Sequence, residues 1–262
     1  MNKENKLIPG LPTGFEDRWN KKLSLKKKLI KVIENNFIKY GFDPLETPSF
    51  EISENIGSFL ADDDANPMSD VFTFNDGNEK IMLRYDLSSP LSRFVAQNYR
   101  ELTFPYKRYA IGNVWRNEKS GNARYREFTQ ADVDIIGNLK KSQADAEICN
   151  VIADTLKKSG LSDTQFKVSI SNRKIVQGLI NQLNITNKAQ ELKVIRAIDK
   201  LDRVGLKGVE DLLKKERVDA SGAVTKGANL SDAQTSEIIN FLKIKNLKDL
   251  KSILKNPLSV EG

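Results

Sequence analysis

Arginines, carboxylates and amides recur at strand spacing in two short stretches of this chain. Arg116 and Glu118 stand two apart, and Arg126, Phe128, Gln130, Asp132 and Asp134 follow at every second position. Side chains alternate across a strand, so each set shares a face, while Tyr125, Glu127, Thr129, Ala131 and Val133 take the other. Arg84 and Asp86 share a face in the same way. If these three strands are neighbours, at least two arginines and three carboxylates gather on one sheet surface. Charges at that density are costly to bury unless they pair or hold a ligand. The chemistry open to them is electrostatic, with guanidinium forks gripping phosphate or carboxylate and carboxylates gripping ammonium or N–H groups. A solvated outer face laced with cross-strand ion pairs would show the same alternation.

The chain contains no histidine. That removes Ser-His-Asp and Cys-His nucleophile systems and any His-ligated zinc. Phosphate chemistry and electrostatic catalysis fit what remains, with any metal held by oxygen. The one cysteine, Cys149, cannot form an internal disulfide and is expected in a helix core, in a reducing cytosol. The first ten residues lack the apolar stretch of a secretory leader, and no run approaches the ~20 apolar residues of a membrane span. A soluble cytoplasmic chain with no membrane partner is the expectation.

The elements that must position these residues follow from the pattern. Leu25, Leu29, Val32, Ile33 and Phe37 keep helical spacing up to Gly41, predicting a helix over 16–40. Pro44 and Pro48 then impose an extended edge or interface segment. Asp62, Asp63 and Asp64 with Asn66-Pro67 mark a loop. A hairpin follows, 71–75 and 79–86 about an Asp76-Gly77 turn. A Ser N-cap ahead of Pro90 predicts a helix to about Gln97. Two extended runs, 106–118 and 124–136, flank a Ser120-Gly121-Asn122 loop. A helix over 143–158 places Ile148, Ile152 and Leu156 on one face and stops at Gly160, and 166–171 reads as a short strand. From Arg173 the pattern is helical, with breaks at Gly205, Gly208, Gly222 and Gly227. Charge shifts at the same point, since residues 173–262 carry 17 Lys/Arg against 11 Asp/Glu, most of the chain's net +7. We therefore expect an α+β unit over 1–172, a mostly antiparallel sheet flanked by helices, and a basic helical unit over 173–262. Such a segment suits a nucleic-acid backbone or a plain solvated surface.

The order of these residues resembles the class II aminoacyl-tRNA synthetases in their histidyl form. Arg116-Asn117-Glu118, a loop, Arg124-Tyr125-Arg126-Glu127-Phe128, then Gln130 and Asp134 resemble that family's motif 2. Leu83-Arg84-Tyr85-Asp86-Leu87-Ser88 is similar to its Leu-Arg-x-Asp/Glu-x-Thr/Ser element, and Thr47-Pro48 to motif 1, which forms the dimer interface. Ser171-Asn172-Arg173-Lys174 and the run Arg196 to Asp202 resemble the histidyl enzymes' helical insertion, and the likeness covers most of residues 7–262. Three ordered elements at family spacing are more specific than any one of them.

The resemblance implies a ligase that activates histidine with ATP and Mg²⁺ and passes it to tRNA(His), acting as a homodimer through the Thr47 and Pro48 region. Arg116 would grip the ATP α-phosphate and the substrate carboxylate, Glu118 the adenine, and Arg124 the phosphates, with Arg126 beside it. Asp86 would pair with the amino-acid ammonium, with Leu87 and Ser88 in the same turn. Gln130 and Asp134 would read the histidine, Asp134 at the imidazole. The magnesium would come with the nucleotide, with no metal held by the protein alone. Asp132 has no family role and is expected to be structural; Trp115 and Phe128 are expected to pack or stack. The family continues past the equivalent of Gly262 with a paired-tyrosine element, motif 3 and an anticodon-binding domain, so these 262 residues are expected to show little exchange activity alone. Two other functions share the pattern: the regulatory subunit of ATP phosphoribosyltransferase, and a tRNA-binding module without chemistry.

Overall fold

The computed structural model describes residues 9–56, 70–118, 121, 124–214, 216–218, 224–244, 246 and 249–250. The chain forms two compact units, Met1–Val168 and Ser169–Gly262. The Asp62–Pro67 loop lies outside the described residues.

In the first unit, α1 (Asn20–Lys39) leads into the short β1 (Asp43–Pro44) and β2 (Phe50–Ile52), then α2 (Ser53–Ile56). The hairpin β3 (Thr73–Asn75) and β4 (Lys80–Leu83) precedes α3 (Ser88–Asn98). The long strands β5 (Tyr106–Trp115) and β6 (Glu127–Ile136) are followed by α4 (Lys141–Lys158). One sheet has the order β1-β5-β6 and the other β2-β4-β3. Only β1 and β5 pair parallel; the other pairs are antiparallel. The two prolines sit as expected beside edge strands, where a missing N–H costs no ladder bond. The α+β class expected from the pattern is what the chain forms.

Several expectations need correction. The helix begins at Asn20, not 16, because its N-cap Trp19 is extended and residues 16–18 are held outside the helix by side-chain contacts. There Arg18 Nη2 donates to Glu127 O at 3.1 Å, and Glu16 pairs with Arg18 and Lys22. The strand before α3 does not lie in the same sheet as β5 and β6; the segment just after it meets β5 through a backbone bond, Trp115 N–H to Arg84 O at 3.1 Å. No serine caps α3. The Asp86 carboxylate accepts the Ser89 N–H at 2.9 Å instead. On α4 the buried residue is Val151, with Ile148 beside it, while Ile152 is 42% exposed and Cys149 is half-buried. Residues 166–171 form no strand, for they find no ladder partner and Ile170 is exposed.

Long β5 and β6 pair over ten residues, which fixes what each face carries. One face presents Tyr109, Ile111, Val133 and Ile135 to Phe37, Ile33, Val151 and Ile148 of α1 and α4. Leu87, Ala110, Val114 and Phe128 cluster on the other. Gly112 belongs to that second face, and a Cβ there would stand 2.5 Å from Arg84 Nη2, so any side chain would force the guanidinium to shift.

The second unit contains α5 (Arg173–Gln182), α6 (Lys188–Asp199), α7 (Leu201–Leu213) and α8 (Asp232–Leu242) around Leu179, Ile180, Val194, Val209, Leu213 and Ile238. Asn172, Asn187 and a Ser231–Gln234 capping box supply the caps. A hairpin, β7 (Glu216–Val218) with β8 (Val224–Lys226), interrupts what the pattern predicts as helix alone. Gly205 kinks α7 with φ +68°, whereas Gly208 is buried inside the helix and breaks nothing. Gly227 follows β8, and Gly222 lies outside the described residues.

Candidate active site

The site is assembled where the start of α3 meets the charged face of β5 and β6. Register alone sets its floor: Gly112 stands opposite Gln130, Ala110 opposite Asp132 and Arg108 opposite Asp134. Arg108 is not among the residues that the sequence pattern singles out, yet it is the central charge of this face. Its side chain has no exposure, its Nη2 donates to Leu87 O at 2.9 Å, and the same nitrogen lies 2.8 Å from Asp134 Oδ2. That second contact is an ion pair without an aligned hydrogen bond. The signal for Arg108 is its parity with Ala110, Gly112 and Val114. What the sequence lacks is the register that sets it against Asp134.

Asp86, Leu87 and Ser88 occupy the turn into α3. Asp86 is half-buried, Leu87 packs into the apolar cluster, and Ser88 is exposed. Arg116 and Glu118 lie just past the end of β5 and not within the ladder, although Arg116 N–H still bonds to Arg126 O. The Arg116 guanidinium lies 4.3 Å from the Tyr85 ring centre and 5.1 Å from that of Phe128. Stacked rings fix a guanidinium in place without neutralising it. Among the described residues Arg116 forms no ion pair, and its one side-chain hydrogen bond, Nε to Tyr85 O, is long at 3.4 Å. Glu118 receives the Tyr85 hydroxyl at 3.2 Å and pairs with Arg124, which is largely exposed. Arg126 is occupied otherwise: its Nε donates to Glu118 O, and its stem packs on Gly14, where a Cβ would come within 2.7 Å. Arg84 is a strut, donating to Asn113 O at 2.8 Å and Thr47 O at 2.7 Å. Trp115 donates to Glu127, and the Arg84 guanidinium lies over its ring.

Electrostatics sets this face apart. Burial raises the Asp134 carboxyl above its ordinary range, offset in part by Arg108 and reinforced by Asp86. Asp132 is raised for the same first reason, with Arg108 and Arg116 opposing and Asp134 and Asp86 adding to it. Burial likewise lowers Arg108. Among the described residues of this unit, the buried side-chain polar atoms without a hydrogen-bond partner all belong to Arg108, Gln130 and Asp134. Such atoms are costly and uncommon in proteins, and they mark where a ligand's donors and acceptors would complete the pattern. A cleft of about 320 Å³ opens against α1, lined by Lys26, Leu29, Ile33, Ile111 and Thr129 and also by Phe128 and Gln130 of this site. Among the described residues no group of three or more His, Cys, Asp or Glu side chains could hold a metal ion.

An arginine stacked between rings beside a carboxylate-bearing helix turn, on an antiparallel strand pair, defines a synthetase-like catalytic core. Two solved structures have this fold. A histidyl-tRNA synthetase from Nostoc sp. PCC 7120 superposes with a TM-score of 0.74 at 24% identity, covering 98% of this chain and 56% of that one. An ATP phosphoribosyltransferase regulatory subunit/histidyl-tRNA synthetase from Bacillus halodurans C gives 0.75 at 22% identity, covering 100% and 63%. The histidyl-tRNA synthetase family model matches residues 14–224. The chain belongs to the histidyl-tRNA synthetase family. A histidine–tRNA ligase of Pelagibacter ubique (strain HTCC1062) is 72% identical over the whole chain, which spans 57% of that relative. Another, from Rhodopseudomonas palustris (strain TIE-1), is 41% identical over 95% of the chain and 49% of its own length. The chain thus spans about half the length of these relatives.

Proposed function

We propose that this chain carries the part of a histidine–tRNA ligase that grips ATP and reads histidine. The observation that supports this best is the pair of buried acceptors on Gln130 and Asp134 without a hydrogen-bond donor, next to an Arg116 with no carboxylate partner among the described residues. A zwitterionic amino acid with a donor-bearing ring meets both needs.

The histidine carboxylate attacks the α-phosphorus of ATP, the bond to the β-phosphate oxygen breaks, and histidyl-adenylate and pyrophosphate form. The nucleophile is already ionised, so no base is required, and the lack of a histidine side chain is no obstacle. Arg116 holds the substrate carboxylate and α-phosphate in line, which supplies both proximity and charge neutralisation. Asp86 takes the ammonium, Leu87 and Ser88 shape that turn, and Gln130 and Asp134 receive the imidazole end. Glu118 accepts from the adenine amino group, and Arg124 exchanges Glu118 for the phosphates. Mg²⁺ would enter with the nucleotide and help to neutralise its phosphates. A ribose hydroxyl of the 3′-terminal adenosine of tRNA(His) then attacks the adenylate carbonyl, the acyl–phosphate bond breaks, and AMP leaves as the histidyl ester forms. The basic unit over 173–262 lies against the acceptor stem, and the motif 1 region near Thr47 and Pro48 joins two copies, in the cytoplasm. Among the described residues no helix is long and apolar enough to cross a membrane.

The regulatory-subunit reading has the same fold, but it is not favoured, since the 72% identical relative is a ligase. The test is histidine-dependent ATP–pyrophosphate exchange by the chain completed to the length of its relatives. Exchange that requires histidine is expected, and none in a folded protein would overturn the reading. Asp134→Asn should raise the histidine KM and leave that of ATP nearly unchanged. Deleting 173–262 should flatten the salt dependence of tRNA binding, by roughly 0.7–0.9 in slope for each phosphate that the deleted residues neutralise.

A further inference from the structure

Arg108 is a poor choice for stability alone. It is the largest fully buried side chain among the described residues, and its Nε and Nη1 find no acceptor there. A leucine or methionine would fill much the same volume without the cost of an under-satisfied buried cation. The one hydrogen bond it makes is to Leu87 O, the backbone between Asp86 and Ser88, and its one ion pair is with Asp134. One guanidinium nitrogen, Nη2, therefore ties the turn bearing one substrate-facing carboxylate to the strand bearing the other. The charged and titratable groups around it are Asp132 and Asp134 on β6, Tyr106 on its own strand β5, Asp86 before α3, and, beside Asp132, Arg116 after β5.

We propose that Arg108 is a positioning residue for amino-acid selection, fixing Asp86 relative to Asp134 and keeping the Asp134 carboxylate aimed at the side chain of the bound amino acid. The inference rests on the reading of this site as a histidine site. Arg108 touches no substrate itself. It works because the spacing between an ammonium-binding and a ring-binding carboxylate is what admits histidine and rejects an amino acid with no N–H donor at that distance. A guanidinium fork can hold two acceptors at once in a set geometry, whereas an ammonium is a point charge on a flexible stem.

The test uses Arg108→Met and Arg108→Lys in the full-length protein. Both should raise the histidine KM, on the order of tenfold to a hundredfold for a small misplacement, with the ATP KM within about twofold of wild type. In Arg108→Met the acid limb of kcat/KM for histidine should also move to higher pH, because Asp134 loses the neighbour that favours its ionised form while burial and Asp86 still oppose it. Arg108→Lys keeps the charge, so its limb should stay near that of wild type. The substrate imidazole titrates identically in all three proteins, and the differences between them isolate the enzyme's part. A merely structural role would lower Tm and leave KM and the limb in place; that result would overturn the proposal. If Arg108→Met does not fold, the split between histidine and ATP KM in Arg108→Lys decides. Carboxyl ¹³C titration of Asp134 provides a reading without activity: an unchanged midpoint in Arg108→Met would overturn the proposal. Absence of histidine-dependent exchange in the wild type would instead sink the functional reading, and the carboxyl titration would still judge Arg108.

Discussion

The two faces of the β5–β6 pair are built to different standards. On the face toward α1 and α4, polar groups are closed off in pairs: Tyr109 donates to Glu34 at 3.0 Å, Thr129 to Asn113 at 2.8 Å and Asn36 to Thr155 at 2.8 Å. Around them Phe37, Phe42 and Val151 are buried with Tyr109. On the opposite face, buried side-chain atoms of Arg108, Gln130 and Asp134 have no hydrogen-bond partner among the described residues. The same ten-residue ladder supports both, so backbone pairing does not account for the difference. One face gains stability from burial, and the other gives some of it up to keep donors and acceptors available.

Breaking the first face should cost the most. Phe37, 5% exposed and stacked on Tyr109, should lose roughly 3–5 kcal/mol on truncation to alanine, read from urea or guanidinium midpoints. A loss below ~1 kcal/mol would mean that this face is not the unit's core. Arg116→Ala on the other face should do the reverse. It should leave the denaturation midpoint nearly unchanged and lower kcat/KM for exchange in the completed enzyme by about 10²-fold, the scale for one preorganised donor. A large stability loss with kcat/KM preserved would erase the contrast between the faces.

How much of this is legible in the sequence follows from which information is local. Strand alternation is local, so the sharing of one face by Gln130, Asp132 and Asp134 can be read directly, as can the hairpin about Asp76-Gly77 and the edge character of the proline segment. Register is not local. Nothing in the sequence sets Arg108 opposite Asp134, because the connection between β5 and β6 is too long to dictate pairing by turn type. The cap of α3 misleads for a related reason. Ser-Pro matches a helix start, but Asp86 three residues before Ser89 is the better acceptor for an orphan N–H, and it prevails. The β7–β8 hairpin is hidden because three-residue strands in a lysine-rich stretch give almost no periodic signal.

The smallest expected effect sharpens the comparison within the polar face itself. Asp132 and Asp134 both have carboxyls raised by burial, but only Asp134 forms an ion pair with Arg108. For Asp132 the native pKa lies above the unfolded one, so between those two values the native state binds more protons, and stability falls as pH rises through that window. Its ionised form is therefore a net cost at neutral pH. Asp132→Asn should remove that cost and raise Tm at pH 7 by on the order of 2 °C. The gain should be fully present above the native pKa and should vanish as pH falls below the unfolded value of roughly 3.9. The histidine KM should not change, in contrast to Asp134→Asn. Thermal scans of wild type and Asp132→Asn from pH 4 to 8 check this. A Tm difference that does not depend on pH would show that packing, and not burial of charge, sets the cost at this position.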